Sequence, residues 1–355
     1  MRFNLVINME RMSPNEDMRD IVRHITEMVQ MADDGGIDIV WAAEHHAIEM
    51  TIAPSPFQLL SHFAANTSNI RLGTGVAVAP YWHPIKLAGE AALLDLLSGG
   101  RLEFGIGKGA YQREFDRMAG GLKMNQGIPI MQEMLPALKA LWQGDYEHNG
   151  KYWSFPLATS CPKPLQKPYP PIWVAARDPS TFEWAIKNDC DVMSWALVRP
   201  FSEVQDYYKR FNDALNNNPE IKRPRFMTMR HSAVYSNKSE ANIYINAVKQ
   251  QGKQFENLFR NLAPVVNGFP ETVDQEKLTN QNDYGQSHLL KNLIFGAPDQ
   301  VIAKLKPYEA LGVDYFCYMA SYGLPMKEQK SSLKLFIEEV MPAFQGKSFC
   351  SNKIE

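Results

Sequence analysis

Cysteine is scarce. The 355 residues hold four, Cys161, Cys190, Cys317 and Cys350, far apart and with no C-x-x-C pair. That excludes a disulfide framework and a cysteine-ligated zinc site. No metal is expected, since no further His, Cys or carboxylate ligands stand at recognisable spacing. No apolar run approaches the roughly 18 residues of a membrane span. The N-terminus, Met1 to Ile7, reads as a strand; a signal peptide would need a longer apolar region and a small-residue cleavage site. A soluble protein of a reducing cytoplasm, without a membrane partner, is the expectation. Nor is there an excess of one charge: 37 Lys and Arg stand against 39 Asp and Glu, a net charge of −2. Nucleic acid is not expected as a partner, because phosphate binding needs a basic excess on some face.

Apolar residues are plentiful. At 45% hydrophobic and 11% aromatic, the chain can bury a full core. At about 150 residues per domain the length suggests two domains, but it also fits one large α/β barrel. The pattern along the chain decides. Residues 2–8 read as a strand, and Met18, Ile21, Val22, Ile25, Met28 and Val29 recur at helical spacing before Gly35-Gly36. Further strands are predicted at 37–43, 70–79, 102–107, 172–175, 192–196, 227–235 and 314–319. Helices are predicted at 56–65, 84–97, 130–142, 180–187, 201–215, 298–311 and 327–339. Strands apolar on both faces, alternating with helices, are parallel strands under a helical cover. Eight of them give an α/β fold of the (β/α)8 TIM-barrel type. The reading is one domain, 1–355. A loop-like stretch covers 143–170, and a polar insertion lies at about 236–292.

Active sites of such barrels lie at the C-terminal strand ends. Strand two ends in Glu44-His45-His46. A His there can serve as acid, base or metal ligand, with an ordinary hydrogen-bonded core role as the competing reading. Alternation does not choose between the two His. Strand three leads into Tyr81-Trp82-His83. Strand four ends in Gly105-Ile106-Gly107-Lys108-Gly109. A dinucleotide fingerprint fits poorly, since Ala110 stands where the third Gly belongs and Asn125 where an acid should follow. Glycines there let something flat or a phosphate approach the backbone, with Lys108 as the local cation. Strand five ends in Ala176-Arg177-Asp178-Pro179-Ser180-Thr181, a capped helix start that can bind an anion.

Together these residues resemble a known family. Glu44-His45-His46, Leu72-Gly73-Thr74-Gly75, Trp82-His83-Pro84, the run Leu93 to Gly109, Pro171 to Ala176 and Gly296-Ala297-Pro298-Asp299 are similar to bacterial luciferase-like flavin monooxygenases. The resemblance spans nearly the whole chain. It implies a luciferase-like TIM barrel using reduced FMN and O2 to oxygenate a small organic substrate. It also implies a separate flavin reductase and a homodimer. His45 matches the residue used in acid–base chemistry at the flavin; the adjacent Glu44 is expected to orient it. Gly75-Val76 matches a non-proline cis peptide against the flavin ring. Gly107 and Lys108 match ring and phosphate positions. Ala176, Arg177, Asp178, Ser180 and Thr181 match the phosphate loop. Tyr111 and Glu114 are candidate substrate or supporting contacts, with surface placement the favoured alternative. Two departures count against light emission: Gly107 replaces a reactive Cys, and Lys108 replaces an Arg, losing bidentate pairing. The competing functions are an F420-dependent oxidoreductase on the same barrel, a non-catalytic flavin-binding protein and, more distantly, a metal hydrolase.

Overall fold

A computed structural model describes residues 1–344; Cys350 lies outside them. Eight parallel strands form the centre: β1 (Arg2–Val6), β2 (Ile39–Ala42), β3 (Arg71–Thr74), β4 (Leu102–Gly107), β5 (Ile172–Ala175), β6 (Asp191–Trp195), β7 (Phe226–Val234) and β8 (Tyr315–Met319). Each pairs with the next, and β8 pairs back onto β1, so the sheet closes into a barrel. The expected TIM barrel is therefore the observed fold.

The helices that matter for the site are α1 (Met18–Asp34), α2 (Pro56–Asn66), α3 (Pro84–Leu97), α4 (Gln112–Met118), α5 (Gly127–Gln143), α6 (Pro179–Lys187), α7 (Phe201–Asn216) and α8 (Ala241–Arg260). Their starts are chemically marked. Asp17, Ser55 and Asp178 cap α1, α2 and α6 with side-chain oxygens, and Pro opens α2, α3 and α6. α1 buries Ile21, Ile25, Met28, Val29 and Ala32 as one stripe.

Two apolar layers result. One lies between the strands and the helices. The other fills the barrel, where Trp41 meets Trp173 edge to face at 5.4 Å. The N-terminal end of the barrel is closed by charge. Glu103, 1% exposed, bonds Arg71 at 2.5 Å, Arg225 at 2.8 Å and the Trp173 indole at 2.6 Å. Arg225 also holds Asp191. Paired on all sides, these charges are held at the end of the barrel that sets stability.

Three segments depart from the predicted pattern. The third strand, predicted unbroken over 70–79, stops at Thr74; Gly75-Val76 is a cis peptide, and Ala77–Val78 then pairs with Ile106 and Gly107 of β4. At the break the Thr74 hydroxyl donates to the Gly105 carbonyl and accepts from the Gly105 N–H. A Cβ on Gly105 would collide with the Thr74 carbonyl, so the close approach requires glycine. Second, the loop-like stretch 143–170 contains an antiparallel hairpin, Tyr146–Asn149 with Ser154–Ala158. Most of its side chains are exposed, so it carries no apolar alternation. Glu133 of α5 accepts from the N–H groups of Lys151, Tyr152 and Trp153 at its turn. Third, α4 was not predicted.

Residues 236–292 carry α8, a two-residue hairpin and a short helix. The chain then returns as a strand, Ile294–Gly296, beside the far end of β7. α8 brings Phe255 and Leu258 to the C-terminal mouth. Among the described residues, no helix is long and apolar enough to cross a membrane, and no group of three or more His, Cys, Asp or Glu could hold a metal ion.

Candidate active site

The strand ends and the segments beyond them enclose a cavity of about 120 Å³. That is close to the ~150 Å³ that accepts a benzene ring in an engineered protein cavity. Val6, Ala43, Gly75, Met229 and Met319 form its floor at the strand ends. Ile48, Met50, Tyr111, Phe255 and Leu258 close over it. The lining is mostly apolar, which excludes bulk water and strengthens any charge interaction inside.

His45 stands on this wall. Its Nδ1 lies 3.2 Å from Glu114 Oε1 and 3.4 Å from Oε2. The same carboxylate accepts the His46 backbone N–H at 2.7 Å. A carboxylate at Nδ1 favours the proton there and leaves Nε2 as the nitrogen able to take one. The Tyr111 ring lies 5.2 Å from the imidazole, tilted by 31°. Burial, then the charge of Glu114, push the Tyr111 phenol well above its ordinary range.

Glu44 does not orient His45, contrary to the expectation from sequence. Its carboxylate meets His46 Nε2 at 2.8 Å, the Val78 N–H at 2.7 Å and the Trp82 indole N–H at 2.9 Å. Beyond the end of β2 the chain brings Glu44 and His46 together and turns His45 toward Glu114 instead. Glu44 thus ties the end of β2 to the chain beyond β3. Glu114, expected at the surface, is 1% exposed. The available signal was faint: Tyr111, Glu114 and Phe115 stand at i, i+3 and i+4, but α4 is only seven residues long.

The remaining expected residues gather on the neighbouring strands. Gly75 lines the cavity; Val76 packs against Gly107, where a Cβ would stand 2.5 Å from Val76 Cγ2. Ile106 and Val174 are paired in register, so Lys108 and Ala176 leave the sheet side by side. Lys108 is exposed and has no ion pair among the described residues. Arg177 is exposed too, with its Nε donating to the Tyr207 hydroxyl at 3.2 Å. Two cations therefore emerge from adjacent strands. The start of α6 is already engaged. Asp178 accepts from the Ser180 hydroxyl, the Thr181 hydroxyl and the Thr181 N–H at 2.6–3.0 Å. Partial burial works against its charge, but these donors prevail and hold its pKa below the usual carboxylate range.

Small residues at Ala43 and Gly75 leave room for a flat ring in the cavity, and Lys108 and Arg177, exposed just beyond β4 and β5, are cations of the kind a phosphate needs. The sequence pattern that defines luciferase-like monooxygenases matches residues 1–315. The chain belongs to this family. The oxygenase component of the flavin-dependent trigonelline monooxygenase of Acinetobacter baylyi is 42% identical over 344 residues, covering 97% of this chain and 96% of the relative. The monooxygenase RslO1 of Streptomyces bottropensis has a TM-score of 0.79 at 24% identity, covering 97% of this chain and all of its own. The oxygenating constituent of 3,6-diketocamphane monooxygenase from Pseudomonas putida, solved with FMN, has a TM-score of 0.74 at 21% identity, covering 96% and 98%. In this luciferase-like monooxygenase the Cys expected of light-emitting members has no room at position 107, because Val76 fills the space.

Proposed function

We propose that this chain is the oxygenase component of a two-component flavin monooxygenase. It takes reduced FMN from a separate reductase and uses dioxygen to oxygenate a small N-methylated heteroaromatic compound such as trigonelline. The observation that carries this reading is the His45–Glu114 pair on the wall of an otherwise apolar cavity. Its setting is a chain 42% identical to a trigonelline oxygenase over almost its whole length.

Reduced FMN, when bound, supplies the electrons that activate dioxygen. Gly75, Val76 and Gly107 would face its ring. Lys108 and Arg177, with Ala176, Asp178, Ser180 and Thr181 at the end of β5 and the start of α6, would meet its phosphate. His45 Nε2 holds or accepts a proton at the cavity wall, and Glu114 fixes its orientation. Glu44 acts at a distance, by holding His46 and the Val78 and Trp82 segment in place. Met50, Met229 and Met319 keep water from the reacting atoms.

The reading includes a homodimer in the cytoplasm. Leu93, Leu96 and Leu97 leave an exposed apolar strip on α3, the kind of surface that a second copy covers. Cys161, Cys190 and Cys317 are unpaired thiols, as a reducing compartment keeps them.

The test is to supply photoreduced FMN, air and trigonelline to the purified protein. Loss of trigonelline in step with oxygen uptake supports the proposal. Flavin oxidation with no loss of trigonelline would reject it, in favour of a flavin-binding protein or another substrate.

A further inference from the structure

The cavity contains an acid that the proposed chemistry does not use. Glu10 lies just after β1 and is among the residues that line the cavity. Its Oε2 accepts the Gly323 backbone N–H at 2.7 Å, which pins the carboxyl in place. No lysine or arginine is among the residues that line the cavity, so no side-chain cation of the protein answers it there. Loss of water, opposed in part by the Gly323 N–H and helped by nearby Glu16, pushes the carboxyl up to about 8. A positive charge beside it would reverse that shift.

Aromatic faces complete the setting. Trp195 and Phe255 meet edge to face, with ring centroids 5.7 Å apart, and Tyr111 lies on the same wall. Aromatic faces attract cations, most strongly when the cation has left water. Two buried polar atoms here lack a protein partner: the Asn8 side-chain oxygen and the Trp195 indole N–H. Buried polar atoms of this kind are satisfied by a ligand or by water. The oxygen favours the positive part of a ligand, and the N–H favours an anionic oxygen.

We infer that this cavity is a cation-reading site, in which Glu10 is the counter-ion and Trp195, Phe255 and Tyr111 are the walls for a small, flat, positively charged ring. A ring that also bears a carboxylate would present it to the Trp195 N–H. The inference rests on the cavity being the oxygenation site, and it names the feature of the substrate that is recognised: ring charge rather than ring shape.

Three probes isolate that feature: trigonelline, N-methylpyridinium, and 3-methylbenzoate, which has the shape of trigonelline without the ring charge. Binding is measured by calorimetry on the full-length protein, without turnover. Both cationic rings should bind at least about tenfold more tightly than 3-methylbenzoate. Glu10→Gln, close in size and uncharged, should erase most of that preference while leaving FMN affinity unchanged. Phe255→Leu should weaken the preference through the wall instead, and guards against a fold defect peculiar to position 10. Equal binding of 3-methylbenzoate and trigonelline, no binding of any probe, or an unchanged preference in both variants would each overturn the inference. Cation binding that depends on Glu10, without turnover of trigonelline, supports the site and rejects only the proposed substrate.

Discussion

Glu114 is 69 residues from His45 in the chain and 3.2 Å from its Nδ1 in space. The pair joins the end of β2 to the first turn of α4. It gives the cavity one ionisable nitrogen with a fixed direction.

Removing the imidazole should therefore be costly. His45→Ala is expected to lower oxygenation by about 10² or more when reduced FMN is supplied, the usual scale of a positioned acid or base. Glu114→Gln should cost less, since the imidazole remains and loses only the group that orients it. The double variant should be no slower than His45→Ala alone, because both substitutions remove one unit. Additive losses would show that Glu114 acts independently.

Glu44 should report on stability rather than on chemistry. It is buried and meets three donors, from His46, Val78 and Trp82. Glu44→Ala leaves those donors without their acceptor, at a cost on the order of 3 kcal/mol. Urea unfolding measures it. A variant as stable as the native protein but inactive would reverse the assignment.

Flavin affinity should follow the charges at the edge of β4 and β5. Lys108→Ala is expected to weaken FMN binding about tenfold, with a smaller effect at high salt, while Lys108→Arg should preserve it. Asp178→Asn keeps the helix cap and removes a negative charge from the start of α6. It should tighten FMN a few-fold, measured by flavin fluorescence.

Glu10 carries a pH dependence of the fold. Its folded value, about 8, lies above its ordinary value of 4.5. Between those values the folded protein keeps a proton that the unfolded chain has released. Stability therefore falls as pH rises through that window, and the loss is complete above it. Gly323 N–H, Glu16 and the Tyr322 phenol are the groups around it. Thermal melts should show Glu10→Gln more stable than the native protein near about pH 9, with the difference shrinking toward about pH 5. The same substitution is expected to weaken cation binding, so the two effects have opposite signs.

The barrel was legible because its strands are apolar on both faces and its helices open with Asp, Ser or Pro. The break after Thr74 was not legible in the strand pattern, since Gly73, Gly75 and Val76 continue an acceptable strand and the reason for stopping lies on β4 at Gly105; only the family resemblance marked the Gly75-Val76 cis peptide that the structure has. His45 was legible as a polar residue at a strand end. Its partner was not, because α4 has only seven residues and too little periodicity to stand out. The role of Glu10 was hidden more deeply. Its surroundings come from a loop 313 residues away, which no local pattern could reveal. In α8 the polar composition masked Phe255 and Leu258, which lie at helical spacing on the face turned toward the cavity.

The start of α6 carries its own anion. With Asp178 already gathering the Ser180 and Thr181 donors, a phosphate arriving there would find competition as well as attraction. Such a grip suits a visitor more than a resident. A flavin that arrives charged with electrons and leaves without them must come and go once per turnover, and a helix end that caps itself never has to be left bare between visits.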